Sequence, residues 1–191
     1  MLNRILIIVL IIAATVGYGL YQKKSLETTL MGASKQDAIL STLPDTSFYT
    51  LDNAKFALHD VFKDGSTSLL VVHFWGTWCA PCEAELPELL AFMKTFENRQ
   101  DVKFLLVAVA DELPKVQKHI RAVALPKADI TWLMDNDNVY RSVFGTTRVP
   151  ETFVFGKDKK TLKKYLGPQE WNKPLFFRTF DEFIQISNSK L

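Results

Sequence analysis

The two cysteines of the chain, Cys79 and Cys82, stand at the junction of a strand-like run and a helix-like one. Leu69–Trp75 is apolar and β-rich, the pattern of a strand buried on both faces of a sheet. It breaks at Gly76-Thr77-Trp78, and over Glu83–Asn98 the residues Leu86, Leu89, Leu90, Met93 and Phe96 recur at helical spacing. A Cys-x-x-Cys at such a junction lets the two sulfurs meet within one helical turn. The first sulfur then sits at the helix N-terminus, where unpaired N–H groups and the dipole favour a thiolate. Cys79 should therefore ionise below the free value of about 8.5. Cys82, one turn further in, is expected to be shielded and to act second, resolving a mixed disulfide formed by Cys79. One pair cannot supply the four ligands of a closed zinc site, nor staple a disulfide scaffold. Glu83 follows Cys82 where a haem-attachment motif needs His. Half a zinc site and a buried structural pair are the bland alternatives; the strand–Trp–Cys-x-x-Cys–helix context favours redox chemistry.

The rest of the chain supplies the elements such a junction needs. Ser47–Asp52 and Lys55–Val61 read as two strands around an Asp52-Asn53 turn, and Val102–Ala110 as a second buried strand. Pro114–Ala124 reads as a helix, Ile130–Met134 as a short strand, and Asn138–Phe144 as a short helix capped by the Asp135–Asn138 cluster. Glu151–Phe155 and Thr161–Leu166 form a hairpin, and a last helix starts near Pro174 with Phe176, Phe177, Phe180 and Ile184 on its apolar side. The expected fold class is α/β, a central mixed sheet flanked by helices on both faces. The 48% hydrophobic content and 14 Phe exclude wholesale disorder. With 23 Lys+Arg against 21 Asp+Glu the charge nearly cancels, which argues against a nucleic-acid partner.

Residues 1–22 read as a membrane segment. No charge occurs from Ile5 to Tyr21; Arg4 precedes the run, Lys23 and Lys24 follow it, and Tyr18 and Tyr21 lie at one end, as interfacial aromatics do. As a helix the run spans about 26 Å, slightly under the roughly 30 Å hydrocarbon core. A cleaved signal peptide is the rival reading; the lack of a clean A-x-A site favours an uncleaved signal anchor. Residues 23–40 then read as a linker and 41–187 as the globular domain.

Phe74-Trp75-Gly76-Thr77-Trp78-Cys79-Ala80-Pro81-Cys82, followed by Glu85-Leu86-Pro87 and later by Val149-Pro150-Glu151-Thr152-Phe153, resembles the membrane-anchored thioredoxin-like family of the TlpA, ResA and DsbE (CcmG) type. The resemblance covers about residues 41–187 and implies a thioredoxin-like fold with an N-terminal β-hairpin extension and an N-terminal transmembrane helix. It implies a thiol:disulfide oxidoreductase that needs no cofactor or metal. Its partners would be protein disulfides, apocytochrome c among them, and a membrane thiol-transfer protein as electron donor. The location implied is the bacterial cytoplasmic (inner) membrane, single-pass, with the domain facing the periplasm or outer face. Pro150-Glu151-Thr152 most resembles the DsbE pattern, which points to cytochrome c maturation.

The resemblance also assigns residues. Pro150 matches a cis-proline that turns the Val149 backbone toward the cysteines, where it can pair with an extended substrate. Glu85 matches a buried glutamate that passes a proton to or from the resolving thiol; Glu83 and Glu88 read as a solvated face. His73 departs from both related patterns, the buried Asp of ordinary thioredoxins and the Asn often found in the membrane-anchored family, and is either a titratable group that tunes the cysteines or a neutral core residue with a hydrogen-bonded ring. Glu151 either lines the substrate groove or merely starts a strand, and Trp78 supplies a rim. His59 and His119 read as surface residues, and the lysines of the 157–164 hairpin as a solvated turn. Two other functions compete. A general periplasmic disulfide oxidant or isomerase would carry an extra donor such as His between its cysteines, where this chain has Ala80-Pro81. A thioredoxin-fold copper chaperone would use Cys-x-x-x-Cys plus a distant His.

Overall fold

The computed structural model describes residues 17–18 and 40–189, so the expected membrane segment and the linker fall almost wholly outside the described residues. Among the described residues no helix is long and apolar enough to cross a membrane. The domain opens with the hairpin β1 (Ser47–Thr50) and β2 (Lys55–Ala57), its turn carrying Asn53 at φ 65°. The strand expected over Lys55–Val61 stops at Ala57: Leu58–Phe62 is a 3-10 helix. Its three-residue repeat places Leu58 and Val61 on one side, and both are buried. His59 is not a free surface residue either, because its Nε2 lies 3.2 Å from the Leu43 carbonyl.

Next come β3 (Leu69–Trp75), α1 (Ala80–Lys94), β4 (Val102–Val109), α2 (Leu113–Ala122) and β5 (Ile130–Asp135). They are followed by α3 (Val139–Ser142), β6 (Glu151–Gly156), β7 (Thr161–Leu166) and α4 (Pro174–Ser189). The helix expected from Glu83 begins three residues earlier. Cys79 is its N-cap and Pro81 lies in its first turn, where a missing N–H costs nothing. The sheet runs β2-β1-β5-β4-β3-β6-β7; β3, β4 and β5 are parallel, and β1, β2, β6 and β7 pair antiparallel. β3 is buried at every position because both of its faces are covered.

Alternation along the strands divides the core in two. One face presents Val71, Trp75, Phe104, Leu106 and Val154 to α1, α2 and α4. Its densest part is aromatic, with Phe92 of α1 within 5.5 Å, ring centre to ring centre, of Phe96, Trp171, Phe177 and Phe180. The other face presents Val72, Phe74, Val107, Phe153 and Phe155 to the 3-10 helix and α3. Asp135 caps α3 by accepting from the Val139 and Tyr140 N–H groups, so the acidic cluster acts as a turn and cap. The cysteines belong to the first face, at the carboxyl end of β3, where α/β sheets present their sites.

Candidate active site

β3 ends at Trp75, and the chain turns through Gly76 before α1 starts. A Cβ on Gly76 would meet Trp78 Nε1 at 2.6 Å, so the indole lies where only glycine leaves room. Trp78 is 57% exposed beside the cysteines, and its Nε1 donates to the Val109 carbonyl at 3.0 Å. Thr77 is pinned from the same side: its N–H and its hydroxyl donate to the two carboxylate oxygens of Asp111, at 2.6 and 2.9 Å. The turn after β4 thus holds the loop that carries the cysteines. Asp111 was not among the residues expected at the site.

Cys79 and Cys82 are joined as a disulfide, and both are buried. The Cys82 N–H points at Cys79 Sγ, 3.3 Å away, and the Glu83 N–H closes the first helical bond to the Cys79 carbonyl. Cys79 therefore lies at the end of α1 whose N–H groups favour a thiolate once the pair is reduced. Across from it the Val149–Pro150 bond is cis, and the Val149 carbonyl lies 3.7 Å from Cys79 Sγ.

Glu85 follows Cys82 by one turn and faces inward, 5% exposed. Its Oε2 accepts from the Gln169 backbone N–H at 2.8 Å and from Trp171 Nε1 at 3.1 Å. Burial pushes its carboxyl up to about 6, with those two hydrogen bonds pulling back and the Glu88 charge adding to the rise. His73 of β3 reaches it from below, Nε2 to Oε1 at 3.6 Å, and both side chains are nearly inaccessible. On its other side His73 Nδ1 is 2.9 Å from Thr152 Oγ1. Burial drives the imidazole down to about 3, so it is neutral and the contact with Glu85 is not an ion pair. His73 is thus a core residue with a hydrogen-bonded ring, and it is also joined to Glu85.

The structure brings Cys79, Cys82, Val149 and Pro150 together, sets Glu85 and His73 in one buried cluster, and places Trp78 at the rim. It does not bring Glu151 to the groove. Glu151 pairs with Phe74 across the sheet and so points to the opposite face, where it meets Lys164 Nζ at 2.8 Å. Lys164 is correspondingly no solvated hairpin lysine; its ammonium lies over the Phe153 ring. Two further expectations fail. His119 packs tilted against Trp75, ring centres 5.1 Å apart, with its Nδ1 3.4 Å from Glu83, and the Glu83 Oε1 is buried, so neither is plain surface. Sequence reasoning missed Thr152, Gln169 and Trp171; a lone Trp in the polar stretch Gly167–Lys173 was the one available signal.

A family model described as Redoxin matches residues 40–179. The thiol-disulfide oxidoreductase ResA of Geobacillus thermodenitrificans is 28% identical over 161 residues, covering 84% of each chain. ResA of Geobacillus kaustophilus is 27% identical over 151 residues, covering 79% of each. Among solved structures, a thioredoxin-family thiol:disulfide interchange protein from Chlorobium tepidum aligns with a TM-score of 0.56 at 22% identity, over 77% of this chain and 95% of that one. That likeness shows the thioredoxin-like fold.

Proposed function

Because the chain belongs to the redoxin family and is a thiol:disulfide oxidoreductase, we propose that it acts as a reductant of protein disulfides, anchored in the bacterial inner membrane with its domain facing outward. The observation that carries the reading is the Cys79–Cys82 pair at the N-terminus of α1, faced by the Val149 carbonyl. The Cys79 thiolate attacks one sulfur of a substrate disulfide; a mixed disulfide forms and the other substrate sulfur leaves as a thiolate that takes up a proton. Glu85, ionised at that stage, accepts the proton of the Cys82 thiol. The Cys82 thiolate then attacks Cys79 Sγ, the second substrate sulfur leaves as a thiolate that takes up the proton released again from Glu85, and the chain is left with the Cys79–Cys82 disulfide. The backbone of Val149 is open to pairing with an extended substrate segment, and Trp78 borders it.

The direction of electron flow follows from charge. Ala80-Pro81 puts no cation between the cysteines, while Glu83, Glu85 and Glu88 add negative charge on the same helix. Both disfavour the thiolate relative to a strong oxidant. The helix N-terminus pulls the other way, by about 1 kcal/mol. We expect a potential near thioredoxin's, about −270 mV, rather than the roughly −120 mV of a strong oxidant, a gap of about 7 kcal/mol for two electrons. Equilibration in a redox buffer with thiol counting gives the value; one more oxidising than about −180 mV would promote the oxidant or isomerase reading instead.

The resemblance of Pro150-Glu151-Thr152 to the DsbE pattern supports apocytochrome c as a substrate, with a membrane thiol-transfer protein as the donor. The Cys82→Ala protein, expressed in cells, should hold mixed disulfides through Cys79 that sediment with the membrane and contain proteins of the outer compartment with CxxCH motifs. Cytoplasmic partners, or a complex that survives Cys79→Ala, would count against this assignment.

A further inference from the structure

The second oxygen of Glu85 has been left without a role. Oε2 is committed to Gln169 and Trp171, but Oε1 is buried and has no hydrogen-bond partner among the described residues. What faces it is His73 Nε2 at 3.6 Å, a few tenths of an ångström beyond a hydrogen bond. A neutral imidazole has one N–H and one lone pair, so it can meet a carboxylate with the first or a carboxylic acid with the second. It can do so only if whatever holds its other nitrogen tolerates both arrangements. Thr152 Oγ1, 2.9 Å from Nδ1, is a hydroxyl and both donates and accepts.

We propose that His73 is a positioning residue that serves both states of Glu85, exchanging the ring nitrogen that carries hydrogen, with Thr152 as its two-way partner. When Glu85 is ionised, His73 Nε2–H donates to Oε1 and the Thr152 hydroxyl donates to Nδ1. When Glu85 is protonated, its O–H donates to Nε2, Nδ1–H donates to Thr152 Oγ1, and the hydroxyl turns its own hydrogen away. The imidazole is neutral throughout, and the one proton gained is that on the carboxyl. The other groups around the pair do not compete for this part. Glu88 on α1 repels the ionised carboxylate, and Tyr165 of β7, which is register-paired with Thr152 and packs on Trp171, is held un-ionised, pushed by burial up to about 12. Cys79 and Cys82 do not titrate while joined.

The inference rests on Glu85 being the proton group of the cysteine pair, and the experiment separates the two. Full-length oxidised protein labelled with 15N-histidine is followed by NMR through the Glu85 titration near pH 6. His73 should carry hydrogen on Nε2 above the midpoint and on Nδ1 below it, with no imidazolium signature, and in Glu85→Gln the exchange should vanish. A single tautomer throughout, or an imidazolium, overturns the proposal. In the same oxidised protein, His73→Leu should move the midpoint of the Glu85 carboxyl titration, followed by 13C-glutamate NMR, upward by about one pH unit, tenfold in the ionisation constant, since the carboxylate loses a charge-assisted donor and the acid only a neutral acceptor. His73→Gln, whose amide reaches where Nε2 lies, should restore it; an unmoved midpoint in His73→Leu also overturns the proposal. In reduced protein, a pH profile of Cys79 alkylation unchanged by Glu85→Gln sinks the proton role of Glu85, whereas tautomer exchange in the oxidised protein still upholds the His73–Glu85 pairing.

Discussion

Two titratable residues of one buried cluster are shifted in opposite senses, and the consequence for folding is opposite too. Burial lowers His73 from its ordinary 6.5 to about 3, so below pH 6.5 the unfolded chain binds a proton that the native one refuses. Stability from this group is complete above pH 6.5 and falls as acid is added, by about 1.4 kcal/mol per pH unit, until the folded value is reached. Glu85 is raised from 4.5 to about 6, so the native state holds the extra proton and stability from this group falls as pH rises through that window. Between about 4.5 and 6 the two slopes nearly cancel; below that His73 alone acts. His73→Gln in the oxidised protein should therefore gain on the natural sequence by about 1.4 kcal/mol for each unit below pH 6.5, read by denaturant titration at several pH values. Parallel curves at every pH would mean that His73 takes up a proton inside the fold.

At the scale of elements, what the sequence disclosed depended on how many residues carried the signal. β3 and β4 stood out because strands covered on both faces are continuous apolar runs, and Leu69–Trp75 matches its expected bounds at both ends. α1 was placed by its apolar spacing, but its start was set by Cys79 as cap and Pro81, which the periodicity over Glu83–Asn98 does not contain. Leu58–Val61 passed for strand because four residues are too few to tell one period from another. Partners on distant elements left little local trace: Asp111 with Thr77 and His119 with Trp75 left none, and Trp171 with Glu85 only a lone Trp in a polar stretch. The loop between β3 and α1 is where this matters most. Its form depends on Gly76, whose missing side chain admits the Trp78 indole. Gly76→Ala should displace that indole and break its bond to the Val109 carbonyl. We expect a loss of about 1 kcal/mol of stability and a raised KM for protein disulfides. A KM equal to that of the unmodified protein would remove Trp78 from the rim of the groove.

Taken whole, the sheet is a partition: the face toward α1, α2 and α4 holds the chemistry, and the opposite face holds structure. Glu151 is the residue that distinguishes this from the sequence expectation, since it adjoins Pro150 in the chain yet projects through to the far side. There it is 3% exposed and pairs with Lys164, itself 9% exposed. Removing one member of a buried ion pair leaves an uncompensated charge and costs about 3–5 kcal/mol, whereas replacing both by apolar groups of similar volume is often neutral or better. Glu151→Met alone and Lys164→Met alone should each lower stability by that amount, and the double variant should recover most of it, measured by denaturant unfolding. Reductase kcat/KM, taken well below the unfolding midpoint of each variant, should stay within about twofold of the starting protein in all three, because both side chains lie on the face of the sheet away from the cysteines. Trp171→Phe is the counterpart on the other face: it keeps an aromatic ring against Phe92 but removes a donor from Glu85, and should move the pH profile of the thiols while costing less stability than Glu151→Met. A Glu151→Met protein that stays folded but loses reductase activity would return Glu151 to the substrate groove and break the partition.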